Sequence, residues 1–240
     1  MKKRSQSELD SFRNIAHGLK LGYNGLRIHV VAACFVAISS VLYGEALTGQ
    51  APGLVFIVSF LSLSGCCLDG IGRIDCVASL KMQSRATLAL NFSLACTLGS
   101  MALAAFNFVS ILIPDETWQW KQLIPYWFPL LQLPLSYLGA AGFLIYLRVL
   151  AQHLGEQNLD TNFKLAFVAN GCLILFSIAA SMTPYLEQPL LGKYTNFSLG
   201  CAAACLFVPY RRIFLTLIRV TESRAADHDS DQEIIVVDVD

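Results

Sequence analysis

Charged residues are scarce in this chain, since Asp, Glu, Lys and Arg make up 14% of its 240 residues while apolar residues make up 55%. An ordinary soluble domain has about 25% charged residues. A soluble fold of this composition would expose large apolar patches, so lipid is the better solvent for it. The net charge is zero, which argues against nucleic acid as a partner. Composition therefore indicates an integral membrane protein.

Recognisable catalytic and cofactor motifs are missing as well. The sequence has no phosphate-cradling glycine loop, no Gly-x-Ser-x-Gly elbow and no His-Glu-x-x-His pair. Cys66 and Cys67 are adjacent, which is not a chelating spacing, and Cys201 with Cys205 lacks a second pair of ligands. None of the eight cysteines falls in a loop assigned below to the outside, which argues against a disulfide framework. We predict no catalytic residue, metal or cofactor.

Long apolar stretches are what the chain does have. A helix needs about 20 mostly apolar residues to cross a bilayer, and six stretches meet that requirement. The connections between them are short, so successive spans should be antiparallel neighbours. The predicted spans are residues 28–47, 53–71, 88–113, 124–147, 163–183 and 195–217.

Lysine and arginine are distributed unequally between the two sides of these spans. Of the 17 basic residues, 15 fall in the N-terminal segment, the second and fourth loops and the C-terminal segment. The remaining loops hold only Lys121 and Lys193. Positive charge on short loops marks the cytoplasmic side. We predict an all-α polytopic membrane bundle in the inner (cytoplasmic) membrane, with six transmembrane helices and both termini inside the cell.

The two ends of the chain differ from this transmembrane domain, which we assign to residues 28–220. Residues 1–27 form a cytoplasmic amphipathic segment, in which a helix over 7–23 is predicted to lie on the inner membrane surface against anionic headgroups. Docking of that helix on a partner or on the protein's own loops is the alternative. Residues 221–240 are acidic, and we expect them to form a disordered cytoplasmic tail.

Ionisable residues are nearly absent from the middle of the predicted spans and collect at their cytoplasmic ends, where Gly70 and Gly72 are expected to let the backbone turn. If these groups faced inward, they would form a shallow cationic bowl, with Asp69 as counter-charge, able to hold a lipid phosphate or an anionic metabolite. Ordinary snorkelling and helix-end ion pairs are the alternative. The candidate ligand residues are Arg27, His29, Asp69, Arg73, Arg148 and Arg211.

Two short motifs carry a resemblance, namely Gly72–Cys76 at the end of the second span and Phe143–Ala151 at the end of the fourth. With them, the layout of residues 10–220 resembles that of uncharacterised bacterial six-span integral membrane proteins. The resemblance is one of layout. It implies no activity and no binding residues.

These observations leave three classes of function open. The first is a non-catalytic membrane protein that scaffolds or binds partners at the cytoplasmic face, where the partner is another membrane protein or a second copy of the chain. The second is a transporter or a protein that binds a lipid or anionic ligand at the arginine cluster. The third is an intramembrane enzyme or a quinone or haem redox subunit. We expect the first, because the termini carry opposite charge and the spans lack central charge.

Overall fold

The computed structural model of this chain describes residues 6–43, 52–79, 84–112, 131–182 and 189–236. These residues form helices and contain no β-strand, which confirms the all-α expectation for them. A short 3-10 helix, Gln157–Leu159, connects the fourth and fifth α-helices. The α-helices are α1 (Gln6–Tyr43), α2 (Pro52–Ser79), α3 (Ser84–Leu112), α4 (Gln132–Leu154), α5 (Asp160–Met182) and α6 (Pro189–Val236).

The helices form a closed ring. Each helix packs against the next one in the chain, and α6 completes the ring by packing along α1. Neighbours are antiparallel: on α1 and α2, for example, His17 meets Asp75 and Gly25 meets Gly65. We call the end where α1 begins and α6 ends the basic end. Its basic residues include Arg85, Arg148, Lys164, Arg219 and Arg224.

Four helices of the described chain are long and apolar enough to cross a membrane. Three of these candidate spans overlap the second, third and fourth predicted spans, and the first begins 18 residues earlier than residue 28. The fifth and sixth predicted spans lie within α5 and α6, and their crossing of the bilayer stays a prediction. Of the predicted spans, residues 44–47, 113, 124–130 and 183 lie outside the described residues. The four spans are Asp10–Ile38, Phe56–Val77, Arg85–Phe106 and Pro134–Leu154.

The N-terminal amphipathic helix is part of the bundle and does not lie separately on a membrane surface. α1 continues without a break from Gln6 to Tyr43, so the boundary expected at residue 27 falls inside one helix. Phe12, Ile15 and Leu19 are buried in the protein core, where α1 lies between α2 and α6. The surface-helix prediction was therefore wrong for the described part of this segment. Its apolar face is buried against neighbouring helices, which removes it from both water and headgroups.

The acidic C-terminal segment is helical rather than disordered as far as Val236, because α6 continues through Pro209 to that residue. Arg224 Nη2 donates to the Leu154 carbonyl at the end of α4, 3.1 Å away, and Ala225 is buried. Composition alone predicts disorder, but these contacts hold the segment against α4 as far as Ala225. Residues 237–240 lie outside the described residues.

The packing of this segment gives a first test. We expect Ala225→Asn to accelerate amide hydrogen exchange of residues 219–226 on the order of tenfold, because it introduces a polar amide at a buried position. Ala226→Asn is the matched control, since Ala226 is exposed, and it should leave the exchange unchanged. Complete exchange of residues 221–226 within seconds in the unmodified protein would contradict the packed helix.

Candidate functional site

The contact between α1 and α2 is unusually close because glycines line both surfaces. A Cβ on Gly18 would lie 2.5 Å from the Gly72 carbonyl oxygen, and one on Gly25 would lie 2.8 Å from the Gly65 oxygen. Such distances require backbone-to-backbone contact, which only glycine permits. Gly72 is thus a packing residue inside α2, and the sharp turn expected at Gly70 and Gly72 does not occur.

This close contact places two ionisable residues inside the bundle. Asp69 lies on α2 between Gly65 and Gly72 and faces the glycine surface of α1, where a Cβ on Gly25 would lie 3.3 Å from its Cβ. His29 of α1 covers Gly65, since a Cβ there would lie 3.0 Å from the imidazole Nε2. Both residues lie within candidate spans, whereas the sequence places them at the cytoplasmic ends of the predicted spans.

Arg73 is the most heavily bonded polar residue of the site, although its side chain is only 3% exposed. Its Nε donates to Asp69 Oδ1 at 3.1 Å, and its Nη2 donates to Asp69 Oδ2. Its Nη1 donates to the carbonyls of Ser93 at 3.1 Å and Gly139 at 2.9 Å, and to Ser93 Oγ. The guanidinium also lies over the Phe143 ring, 4.9 Å from its centroid. One side chain therefore joins α2, α3 and α4.

The bonding of Arg73 determines which polar groups remain accessible. A buried guanidinium is stable only when it is paired and hydrogen-bonded, and Arg73 meets that condition through a bidentate pair and two carbonyls. The Asp69 side chain is 17% exposed, against 3% for Arg73. The more accessible part of the ion pair is therefore the carboxylate.

A cavity of about 70 Å³ opens beside this ion pair, between α1, α2, α4 and α6. That volume is enough for several water-sized groups. The Tyr210 hydroxyl donates to the Ala140 carbonyl at 3.4 Å and so has a partner within the wall. The cavity is lined by Gly22, Leu26, His29, Asp69, Arg73, Ser136, Tyr137, Ala140, Phe143, Leu206, Tyr210 and Phe214.

Half of the predicted ligand residues meet at this cavity. His29, Asp69 and Arg73 line it together, as expected if these charged groups faced inward. Arg27 and Arg211 are exposed and do not line it; the Arg27 guanidinium lies 6.0 Å from the centroid of the Tyr23 ring. The six residues therefore do not form one cationic bowl.

Arg148, the sixth candidate, lies at the surface of the basic end. Its Nη2 donates to Asp160 Oδ1 at 2.9 Å, and Lys164 Nζ lies 2.8 Å from Asp160 Oδ2. Lys164 first, and Arg148 with it, lower the pKa of Asp160 from its ordinary value of 3.8. This triad clamps the end of α4 to the start of α5 and is separate from the cavity.

Several residues of the site were not identified from the sequence. Ser93 and Gly139 supply the acceptors of Arg73, and Phe143 supplies its aromatic contact, but nothing local to them indicates a charged partner. The glycines of α1 do have a recognisable signal, because Gly18, Gly22 and Gly25 fall on one helical face.

Within the described residues, no group of three or more His, Cys, Asp or Glu side chains is arranged to hold a metal ion. The cavity instead presents a carboxylate and an imidazole beside apolar and aromatic walls, which suits hydrogen bonding to a small molecule. Comparisons with protein-family models, curated proteins and solved structures found no match to this chain.

Proposed function

We propose that this chain is a non-catalytic, six-span protein of the bacterial inner membrane, with both termini in the cytoplasm, that binds a membrane-protein partner or a second copy of itself at its cytoplasmic face. One observation carries the proposal. At the basic end, α1 and α6 are long helices whose inner faces are buried in the core and whose outer faces are polar and exposed.

The lengths of these helices support a surface outside the bilayer. α1 has 38 residues and α6 has 48. At 1.5 Å per residue they are about 57 Å and 72 Å long, roughly twice the 30 Å hydrocarbon core. Lys20 of α1 pairs with Glu222 of α6, and both helices continue beyond this ion pair toward the basic end.

We call the basic-end parts of α1 and α6, residues 10–20 and 218–226, the extension. Its buried face and its exposed face differ in chemistry. Phe12, Ile15 and Leu19 of α1 and Ile218 and Ala225 of α6 are buried. Because these buried side chains already fix the two helices, their exposed faces need little further ordering when a partner binds. Less affinity is then lost to conformational entropy. The exposed residues are Asp10, Arg13, Asn14, His17 and Lys20 on α1, and Arg219, Glu222, Ser223 and Ala226 on α6.

Charge supports the orientation of the bundle. Arg148, Lys164, Arg211, Arg212 and Arg219 are all exposed toward the basic end of α4, α5 and α6. Positive charge flanking apolar helices favours the cytoplasmic side and attracts anionic headgroups there. The anionic-ligand alternative has less support, because Arg73 is committed to Asp69 and the exposed arginines do not converge.

In-cell photo-crosslinking tests this proposal. A photoreactive amino acid is placed at Asn14, Ser223 or Ala226, which are exposed on the extension. Val168 and Leu175 are the controls, because they are 68% and 70% exposed apolar residues of α5 and should face lipid. We expect discrete protein adducts from the first three positions and none from the controls. An adduct of twice the chain's own mass would identify the second copy.

A blocking variant distinguishes a specific interface from random collision. Ser223→Trp should abolish the adduct formed from Ala226, because it adds bulk one turn away on the same surface. Val168→Trp is the matched control and should leave the adduct intact. The proposal would be overturned if the extension and α5 gave the same adducts, or if Ser223→Trp had no effect on them.

A further inference from the structure

Asp69 and His29 offer hydrogen-bond acceptors to the cavity, beside the hydroxyl groups of Ser136 and Tyr137. Arg73 directs Nε, Nη1 and Nη2 at Asp69, Ser93 and Gly139. Each carboxylate oxygen of Asp69 receives one of these bonds and keeps a further acceptor position. His29 covers Gly65 and lines the cavity, and a neutral imidazole has one acceptor nitrogen.

The walls of the cavity favour a particular type of donor. Leu26 and Leu206 provide apolar contacts, and Tyr210 and Phe214 provide aromatic rings, which attract alkylammonium groups. The face of Phe143 is already occupied by the Arg73 guanidinium. A volume of about 70 Å³ suits a group of a few non-hydrogen atoms.

We infer that this cavity binds a small amine, either ammonium or a short alkylammonium ion, whose N–H groups donate to Asp69 and His29. Its alkyl part contacts Leu26 and Leu206. Asp69 then lies between two cations, Arg73 and the amine, and the aromatic rings offset the added positive charge. An anion is disfavoured there, because it meets the Asp69 carboxylate while Nε and Nη1 of Arg73 already donate to protein acceptors.

This site differs from the function proposed above in place and in ligand. The cavity lies inside the ring, whereas the proposed partner surface lies on the outer faces of α1 and α6. Either proposal can therefore fail while the other stands.

The test compares two small ions of opposite charge. The purified full-length protein in lipid nanodiscs is titrated with ¹³C-methylammonium and, separately, with ¹³C-acetate at constant ionic strength, and binding is followed by NMR. We expect saturable binding of methylammonium and none of acetate. Saturable binding of acetate, or no saturable binding of methylammonium, would overturn the inference.

Matched alanine variants locate the binding. Ala140 lines the cavity, so Ala140→Leu should fill it and weaken methylammonium binding by about tenfold or more. Ala102 is exposed on α3, and Ala102→Leu should leave the affinity unchanged. His29→Gln, which keeps an acceptor, should retain more affinity than His29→Leu. Equal affinity in the unmodified protein, Ala140→Leu and His29→Leu would place the amine elsewhere and overturn the site.

Discussion

Replacing Gly72 with alanine should destabilise the bundle severely, whereas the same change at Gly70, two residues away on the same helix, should be tolerated. A Cβ at residue 72 would lie 2.5 Å from the Gly18 carbonyl oxygen and 2.8 Å from the Gly22 nitrogen. Both are backbone atoms, so relief requires α1 and α2 to separate. A Cβ at residue 70 would lie 3.8 Å from Thr97 Cγ2, an ordinary contact.

The two variants also share the same helical gain, because alanine is favoured over glycine in a helix by about 0.8–1 kcal/mol. Any difference between their free energies of unfolding therefore measures the effect of the added Cβ on the contact between α1 and α2. We expect Gly72→Ala to be about 3 kcal/mol less stable than Gly70→Ala, in the upper range for overpacked cores. Equilibrium unfolding in mixed micelles measures this difference. Equal stability of the two variants would show that α1 and α2 are not in backbone contact.

Asp69→Asn should cost about 3–5 kcal/mol, because it leaves the buried guanidinium of Arg73 without its counter-charge. Arg73→Met should also be destabilising, since it removes the bonds to Ser93 and Gly139. The double variant should be more stable than the sum of the two single effects predicts, with a coupling of about 1–3 kcal/mol. The free energies of unfolding of the four proteins measure this coupling.

The chain contains its own control for this cycle. Arg148 and Asp160 form a pair of the same residue types, with side chains 44% and 45% exposed. Exposed pairs contribute about 0–1 kcal/mol, so Arg148→Met with Asp160→Asn should show little coupling. A coupling at Asp69 and Arg73 as small as at the surface pair would contradict the buried, bidentate arrangement.

The sequence identified the charged residues of the site but not their bonding. His29, Asp69 and Arg73 stand out because charge is rare in apolar stretches. The acceptors of Arg73 come from α3 and α4, at Ser93 and Gly139, and their proximity depends on how three helices are aligned. Local patterns carry no information on that alignment, so the sequence placed Asp69 and Arg73 at the end of the second span without the bonds that join three helices.

The predicted helix boundaries differ from the observed ones for a related reason. Hydropathy separates residues 1–27 from the first span because the segment is amphipathic, yet Ile15 and Leu19 are as buried as any core residue. The close backbone contact between Gly18 and Gly72 joins two helices, and hydropathy carries no signal of it. At the other end, acidic composition predicts disorder in isolation, and the contact of Arg224 with Leu154 overrides it.

The closure of the ring by α1 and α6 has a consequence for biosynthesis. Among the described helices α1 is synthesised first and α6 last, so the core side chains of α1 that face α6 stay uncovered until α6 has been made. Contacts between residues so distant in sequence slow folding and leave apolar surfaces exposed in the interim. Since α1 begins and α6 ends at the basic end, a linker can join them and the chain can be opened at another loop. Such a circular permutant makes α1 and α6 consecutive, and its last assembly step joins a different pair of helices.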